Sequence, residues 1–115
     1  MNEEKLWECI CAFEGHTFYT YSGLPFTYKL KIGKKGRYTK ELFVDRRSAS
    51  KSLTWCSIKQ AFNEALRTLE EDGKAHEFNR PKDIGDIRGI SYIYSLFYKF
   101  KLIQVPSFAK ERMEK

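Results

Sequence analysis

Residues 26–45 have the sequence FTYKLKIGKKGRYTKELFVD, and this stretch decides the fold. In its first part large apolar side chains alternate with polar ones, at Phe26, Tyr28, Leu30 and Ile32. A period of two is typical of a β-strand that is buried on one face. Residues 33–36, with a glycine at each end, predict a turn into a second strand over about residues 38–45. The stretch therefore predicts an antiparallel hairpin.

The chain before this hairpin predicts one more strand. Residues 16–21 are rich in aromatic and β-branched side chains, and residues 22–25 (SGLP) are typical of a turn. Three such strands form an antiparallel meander, the sheet with the shortest connections. With the other side chains facing the core, its outer face is predicted to present Lys29, Lys31, Glu41, Phe43 and Asp45. The orientation of the first strand stays open: either Tyr19 and Tyr21 or Phe18 and Thr20 face outward.

The strongest helical pattern follows the meander. Thr54 is a good N-terminal cap, and Leu53 and Ile58 stand at the positions of a hydrophobic staple. A continuous apolar stripe recurs at helical spacing, at Ile58, Ala61, Phe62, Ala65, Leu66 and Leu69. Gly73 is placed to end this helix.

Two further helices are predicted, one towards each end of the chain. Asn2 can cap an N-terminal helix that Gly15 ends. Residues 90–101 carry apolar side chains at helical spacing, flanked by tyrosines. We therefore predict a single α+β domain over residues 1–106: an N-terminal helix, a three-stranded antiparallel meander, and two later helices packed on one sheet face. The charged residues 107–115 are predicted to form a mobile tail.

Composition and cysteine usage argue against several classes of protein. No apolar run approaches the ~20 residues that a membrane span needs, and the acidic residues 1–5 differ from the basic start of a signal peptide. The three cysteines are an odd number without a disulfide framework. One residue separates Cys9 from Cys11, where zinc hooks use about two to four. These features predict a cytoplasmic protein without membrane attachment, metal or other cofactor.

Two histidines, His16 and His76, are the imidazoles available for acid–base catalysis. Neither is flanked by a nucleophile or carboxylate pattern, so a strand residue and a loop residue are their expected roles. A ribonuclease-like activity that uses both histidines is the alternative. Cys56 falls in the first turn of a predicted helix, which favours a thiolate, but no histidine lies near it in the sequence. The sequence therefore favours a role outside catalysis.

Positive charge is concentrated in one segment of the chain. The net charge is +6 overall, but residues 29–59 alone hold ten basic and two acidic residues, a net +8. Such concentration is typical of a surface that binds a polyanion, and a lysine-rich sheet edge that resists aggregation is the alternative. The predicted nucleic-acid-binding residues are Lys29, Lys31, Lys34, Lys35, Arg37, Lys40, Arg46, Arg47, Lys51 and Trp55.

Within this segment, Arg46 and Arg47 are predicted to lead directly into a helix N-terminus. Free N–H groups and the helix dipole attract phosphate there, and arginine can bind phosphate with two parallel hydrogen bonds. Trp55 lies outside the apolar stripe of its helix, so it is either exposed for stacking or covers the sheet edge. Aromatic residues interleaved with lysines on the sheet form either a stacking platform or ordinary cross-strand pairs.

The order of three antiparallel strands followed by a helix, over about residues 17–70, resembles the AP2-like DNA-binding domains and the arm-binding domains of tyrosine recombinases. In those families the sheet enters the major groove and outward strand residues contact the DNA. The resemblance implies contacts from Lys29, Lys31, Arg37 and Lys40. Residues 80–92 resemble small uncharacterised bacterial proteins, and that resemblance implies no function.

These observations predict a small, non-catalytic nucleic-acid-binding domain, with DNA a better partner than RNA. The main alternative is a protein-interaction module or inhibitor that presents its basic patch to an acidic protein.

Overall fold

The computed structural model describes residues 2–32, 38–46, 49–67 and 77–114 and confirms the predicted α+β class. Its elements follow one another as α1 (Glu3–Ala12), β1 (Phe18–Tyr19), β2 (Pro25–Ile32), β3 (Tyr38–Arg46), β4 (Ala49–Thr54), α2 (Trp55–Arg67), a short 3-10 turn (Pro81–Asp83), α3 (Ile90–Lys99) and α4 (Ser107–Met113). Four antiparallel strands lie side by side in the order β1-β2-β3-β4.

The fourth strand is the main difference from the predicted meander. Residues 49–54 were expected to lead into the helix, but they pair with β3 from Arg46↔Ala49 to Glu41↔Thr54. Their sequence, ASKSLT, carries one large apolar side chain, so the strand shows no apolar alternation. Backbone hydrogen bonds to β3 define this edge strand instead.

One face of the sheet forms the core. Its residues are at most 9% exposed: Phe18, Phe26, Tyr28, Leu30, Leu42, Val44 and Leu53. The orientation left open for the first strand is settled here, because Phe18 and Thr20 are buried while Tyr19 and Tyr21 are half-buried. The alternation predicted for β2 and β3 is therefore confirmed over the described side chains, with Leu42 and Val44 inward and Phe43 outward in β3.

Helix α2 begins as the sequence predicted. The Thr54 hydroxyl oxygen accepts a hydrogen bond from the backbone N–H of Ser57 at 3.2 Å, which is the capping contact. Leu53 and Ile58, the two staple residues, are each 1% exposed. The predicted stripe is buried as far as Ala65, but Leu66 is 37% exposed, so its inclusion in the stripe was wrong. Leu69 lies outside the described residues.

Helix α3 is enclosed on nearly all sides. The buried residues are Ile90, Tyr92, Ile93, Tyr94, Ser95, Leu96 and Phe97. Its rings meet the sheet and α2: the Tyr92 ring lies 5.1 Å from that of Phe26, and Phe97 lies 6.4 Å from Phe62. Tyr92 and Tyr94 were expected beside the buried stripe, but they belong to the core because the helix is surrounded by sheet, α2 and the chain around Phe78.

The end of α1 and the turn after it lie along the part of β2 that β1 is too short to pair. The Tyr28 hydroxyl donates to the backbone oxygen of Ile10 at 2.5 Å, one of the last helical carbonyls, which have no partner within a helix. The Glu14 carboxylate accepts from the N–H of Leu30 at 2.7 Å, and the N–H of Gly15 donates to the oxygen of Tyr28 at 3.1 Å. These bonds attach the helix to the sheet.

After Pro106 the structure has a packed helix where the sequence predicted a mobile tail. Residues 107–113 form α4, in which Ala109 is 0% and Met113 is 8% exposed. These two residues are four positions apart and therefore share one helical face. The Phe108 ring adds a contact with Tyr21, at 5.8 Å between centroids. One buried residue per turn is enough to dock this helix, although its other side chains are charged or exposed.

Gly89 should tolerate a side chain poorly. It caps α3 at φ +78°, and a Cβ built there would lie 2.1 Å from Cδ2 of Leu53, which is buried. Gly15 has a similar φ of +84° with nothing within 4 Å, so Gly15→Ala is the matched control for backbone strain alone. We expect Gly15→Ala to lower the free energy of unfolding by about 1–2 kcal/mol, and Gly89→Ala to lower it by a further ~1–3 kcal/mol. Equal losses in urea unfolding would contradict this packing.

The Tyr28 hydroxyl should contribute measurably to stability. Burial raises the pKa of Tyr28 well above its ordinary value, so the hydroxyl stays protonated and donates at neutral pH. Tyr28→Phe would leave the Ile10 carbonyl buried without this donor, at a cost of about 1–3 kcal/mol. Tyr98→Phe is the control, because the Tyr98 hydroxyl donates to the exposed carboxylate of Glu114. Denaturant unfolding that finds equal losses for the two variants would rule out this role for Tyr28.

Candidate nucleic-acid interface

The outer face of β2, β3 and β4 is the surface that the sequence singled out. Cross-strand pairing places Lys29, Phe43 and Ser52 in one row across the three strands. All three side chains are exposed, and Phe43 retains 37% of its surface. Asp45 is exposed and Glu41 half-buried on the same face, as predicted. Among the described residues, this face carries none of the buried core.

The charge of this face is mixed. Lys29 is the one described cationic side chain in its centre, and Glu41 and Asp45 oppose it. Lys31 and Lys40 occupy positions in β2 and β3, but the described part of the chain does not include their side chains. Half of the ten basic residues in 29–59 belong to the two connections or to the end of β3, and Lys59 belongs to α2.

Basic residues also belong to the two connections on either side of β3, the one from β2 and the one to β4. These connections join opposite ends of β3. Lys34, Lys35 and Arg37 fall within residues 33–37, outside the described residues, and this connection joins Ile32 to Tyr38. Arg47 is also outside the described residues, and it follows Arg46 at the other end of β3. Eight residue steps separate the ends of β3, which is about 27 Å of strand.

Arg46 does not lie beside the N-terminus of α2, as the sequence suggested. Arg46 pairs with Ala49 at the start of β4, whereas α2 follows Thr54 at its end. The five residue steps from Ala49 to Thr54 span about 17 Å of extended strand. The strand β4 therefore separates Arg46 from the helix N-terminus, which corrects the prediction for this residue, and Arg47 lies outside the described residues.

Lys51 and Trp55 also lie away from the row of outward side chains that contains Phe43. Lys51 pairs with Val44, so it belongs to the inner side of the sheet, where it is half-buried at the edge. Trp55 is half-buried, and its ring meets that of Trp7 at 5.4 Å and 70°. Of the two roles considered for Trp55, the structure favours a packing role, against α1.

Sequence reasoning missed Ser52, which lies beside Phe43 on the outer face. Residues 49–54 give no apolar alternation, so the strand that positions this hydroxyl was not recognised. The sequence offered one weak signal for this strand. Serines that alternate with a lysine are compatible with an edge strand that faces water.

The alternative sites suggested by the sequence are not assembled in the described residues. His16 is exposed, with its ring 5.1 Å from that of Phe13, and His76 lies outside the described residues. Cys9 and Cys11 are half-buried and Cys56 is exposed, all as free thiols. In the described ranges no three His, Cys, Asp or Glu side chains come together as a metal site, and no helix has the length and apolarity to cross a bilayer.

Trp55→Ala should reveal a packing role. Removing the indole deletes its contact with Trp7, so we expect the free energy of unfolding to fall by about 2 kcal/mol. Trp55→Phe keeps a ring at this position and should lose less. If Trp55→Ala unfolds like the wild-type chain but fails to bind nucleic acid, Trp55 is a stacking contact instead.

The chain matches no protein-family model, no curated protein and no solved structure. The resemblance in element order to AP2-like and arm-binding domains therefore has no sequence or structural match beside it. What the open face binds has to be inferred from its own side chains and from the charge of the segment that builds it.

Proposed function

We propose that this chain is a non-catalytic nucleic-acid-binding domain that uses the outer face of β2, β3 and β4. One observation carries the proposal: residues 29–59, which build this open face and its connections, hold a net +8 in a chain whose total is +6. The rest of the chain is therefore slightly acidic. We infer that part of this positive charge lies on or beside the sheet face that the core does not use, where Lys29 is exposed, as is typical of a polyanion-binding surface.

The exposed side chains of the face suit a nucleic acid better than a simple anion. Lys29 offers a cation for a phosphate, and Phe43 beside it offers an exposed ring for a base or sugar. Asp45 and Glu41 repel phosphates but can accept hydrogen bonds from base amino groups. We infer that Phe43, Glu41 and Asp45 meet bases, and that Lys29 and the basic residues joined to the two ends of β3 meet phosphates.

DNA is the better partner on grounds of shape. The major groove of B-form DNA is about 12 Å wide and admits a narrow β-ribbon, whereas the deep major groove of A-form RNA does not. The two strands at the free edge of the outer face, β3 and β4, carry short side chains such as Ser52 and can approach such a groove. The three free thiols support a reducing compartment such as the cytoplasm, where nucleic acid is accessible.

Binding to a labelled DNA duplex should weaken steeply with salt. Each neutralised phosphate releases condensed counterions, so about four to six contacts lower the affinity roughly a hundredfold between low and physiological salt. Fluorescence anisotropy over a salt series measures this slope. The double variant Arg46→Ala, Arg47→Ala should lower the steepness of log affinity against log salt concentration by about two. Lys29→Ala should lower it by about one.

Phe43→Ala should weaken binding at every salt concentration without changing the slope, because the ring carries no charge.

Lys82→Ala is the matched control for Lys29→Ala, since Lys82 is an exposed lysine in the Pro81–Asp83 turn, outside the outer face. Thermal melts of the lysine and arginine variants should match the wild type, because surface charges contribute little to stability. If neither duplexes nor single strands of DNA or RNA bind at low salt, the proposal fails, and an acidic protein becomes the expected partner.

A further inference from the structure

A cleft of about 550 Å³ lies at the other edge of the sheet from β4. Its walls are residues 17–19 around β1, the C-terminal end of α3 and the end of α4. Small-molecule sites in proteins commonly enclose about 300–1,000 Å³, so the size of this cleft suits a small-molecule ligand. It shares no residue with the outer sheet face.

The lining combines apolar surface with two cations. Tyr19 and Met113 contribute apolar surface, and Lys99 and Lys101 are exposed at the cleft with no ion pair among the described residues. The lining contains one carboxylate, that of Glu114, which already accepts a hydrogen bond from the Tyr98 hydroxyl. The two lysines therefore leave the cleft with a net positive charge.

The Tyr98 hydroxyl fixes the position of this carboxylate. Burial, followed by the hydrogen bond to Glu114, raises the pKa of Tyr98 to about 12. The hydroxyl therefore remains a donor at neutral pH and keeps the carboxylate of Glu114 against the aromatic wall. The ammonium groups of Lys99 and Lys101 are left as the charged groups that a ligand can use.

Lys101 has a backbone conformation that a lysine rarely adopts. Its φ is +63°, in the left-handed region, and it occupies the position after the helix cap where glycine is preferred. The Lys101 N–H donates to the oxygen of Tyr98 at 3.0 Å, and the N–H of Leu102 donates to Phe97 at 2.9 Å, as expected for a helix end of this type. Unfavourable backbone conformations are enriched where a side chain serves a ligand site.

We propose that this cleft binds a small aromatic anion of the size and chemistry of a nucleoside monophosphate. The phosphate would lie between the Lys99 and Lys101 ammonium groups, and the flat body would lie against Tyr19 and Met113. Charge complementarity and volume select this class of ligand, because the lining offers two ammonium groups and its one carboxylate already accepts a hydrogen bond from Tyr98. The proposal does not depend on nucleic-acid binding by the outer face.

Isothermal titration with adenosine monophosphate, adenosine and inorganic phosphate tests the site in the full chain. Adenosine monophosphate should bind with a Kd of about 1 mM or lower, and adenosine at least about tenfold more weakly. Absence of saturable binding by the monophosphate, or equal binding by adenosine, would overturn the proposal.

Lys101→Gly makes the test specific to this residue. Glycine prefers the left-handed conformation, so the variant should melt no lower than the wild type while its affinity for adenosine monophosphate falls about fivefold or more. Lys101→Arg should keep the affinity, as should Lys110→Ala, an exposed lysine of α4 outside the cleft lining. Wild-type affinity in Lys101→Gly would overturn the proposal. Phe43→Ala, which tests the outer face, should not change binding in the cleft, so the two proposals can fail separately.

Discussion

The enclosure of α3 is the constraint on which the rest of the structure depends. Six of its seven buried residues follow one another from Tyr92 to Phe97, so the helix needs partners on every side. The inner face of the sheet supplies one side through Phe26, and α2 supplies another through Phe62. Because the inner face of the sheet packs into this core, the opposite face of β2, β3 and β4 is left for water or a ligand.

Hydroxyl groups carried into this core attach the surrounding chain to it. Tyr94 donates to the backbone oxygen of Phe78, Ser95 donates to that of Tyr19 at 2.8 Å, and Tyr28 donates to that of Ile10. Throughout the described ranges, no buried side-chain nitrogen or oxygen lacks a hydrogen-bond partner. A buried polar group without a partner would cost about 1–3 kcal/mol, so each hydroxyl also specifies which segment packs beside it. The bond from Ser95 to Tyr19 holds β1 against α3 at the wall of the cleft.

The sequence allowed the inner face to be predicted well and the edges poorly. Alternation from Phe26 to Ile32 and the capping pattern at Thr54 are local signals, and both elements are present where they were expected. Residues 49–54 form a strand because their backbone pairs with β3. Their side chains show no periodicity from which such pairing could be predicted. Helix α4 escaped prediction for a similar reason, since Ala109 and Met113 are too few to form a visible stripe.

In the candidate site, too, features that depend on local sequence patterns could be predicted, and features that depend on strand pairing could not. The outward direction of Lys29 and Phe43 follows from strand alternation and was predictable. The separation of Arg46 from α2 depends on β4, and the inward position of Lys51 depends on its register with Val44, so neither could be derived without the sheet.

Hydroxyl-radical footprinting with and without a DNA duplex tests the central claim, that the open face is the binding surface. Phe43, Leu24 and Phe108 are all exposed large apolar side chains, at 37%, 44% and 47%, and Phe43 is the one on the outer face of β3. We expect DNA to protect Phe43 from oxidation while Leu24 and Phe108 stay as reactive as in the free protein. Unchanged oxidation of Phe43 in a chain saturated with DNA, or protection of Phe108 in its place, would contradict the account.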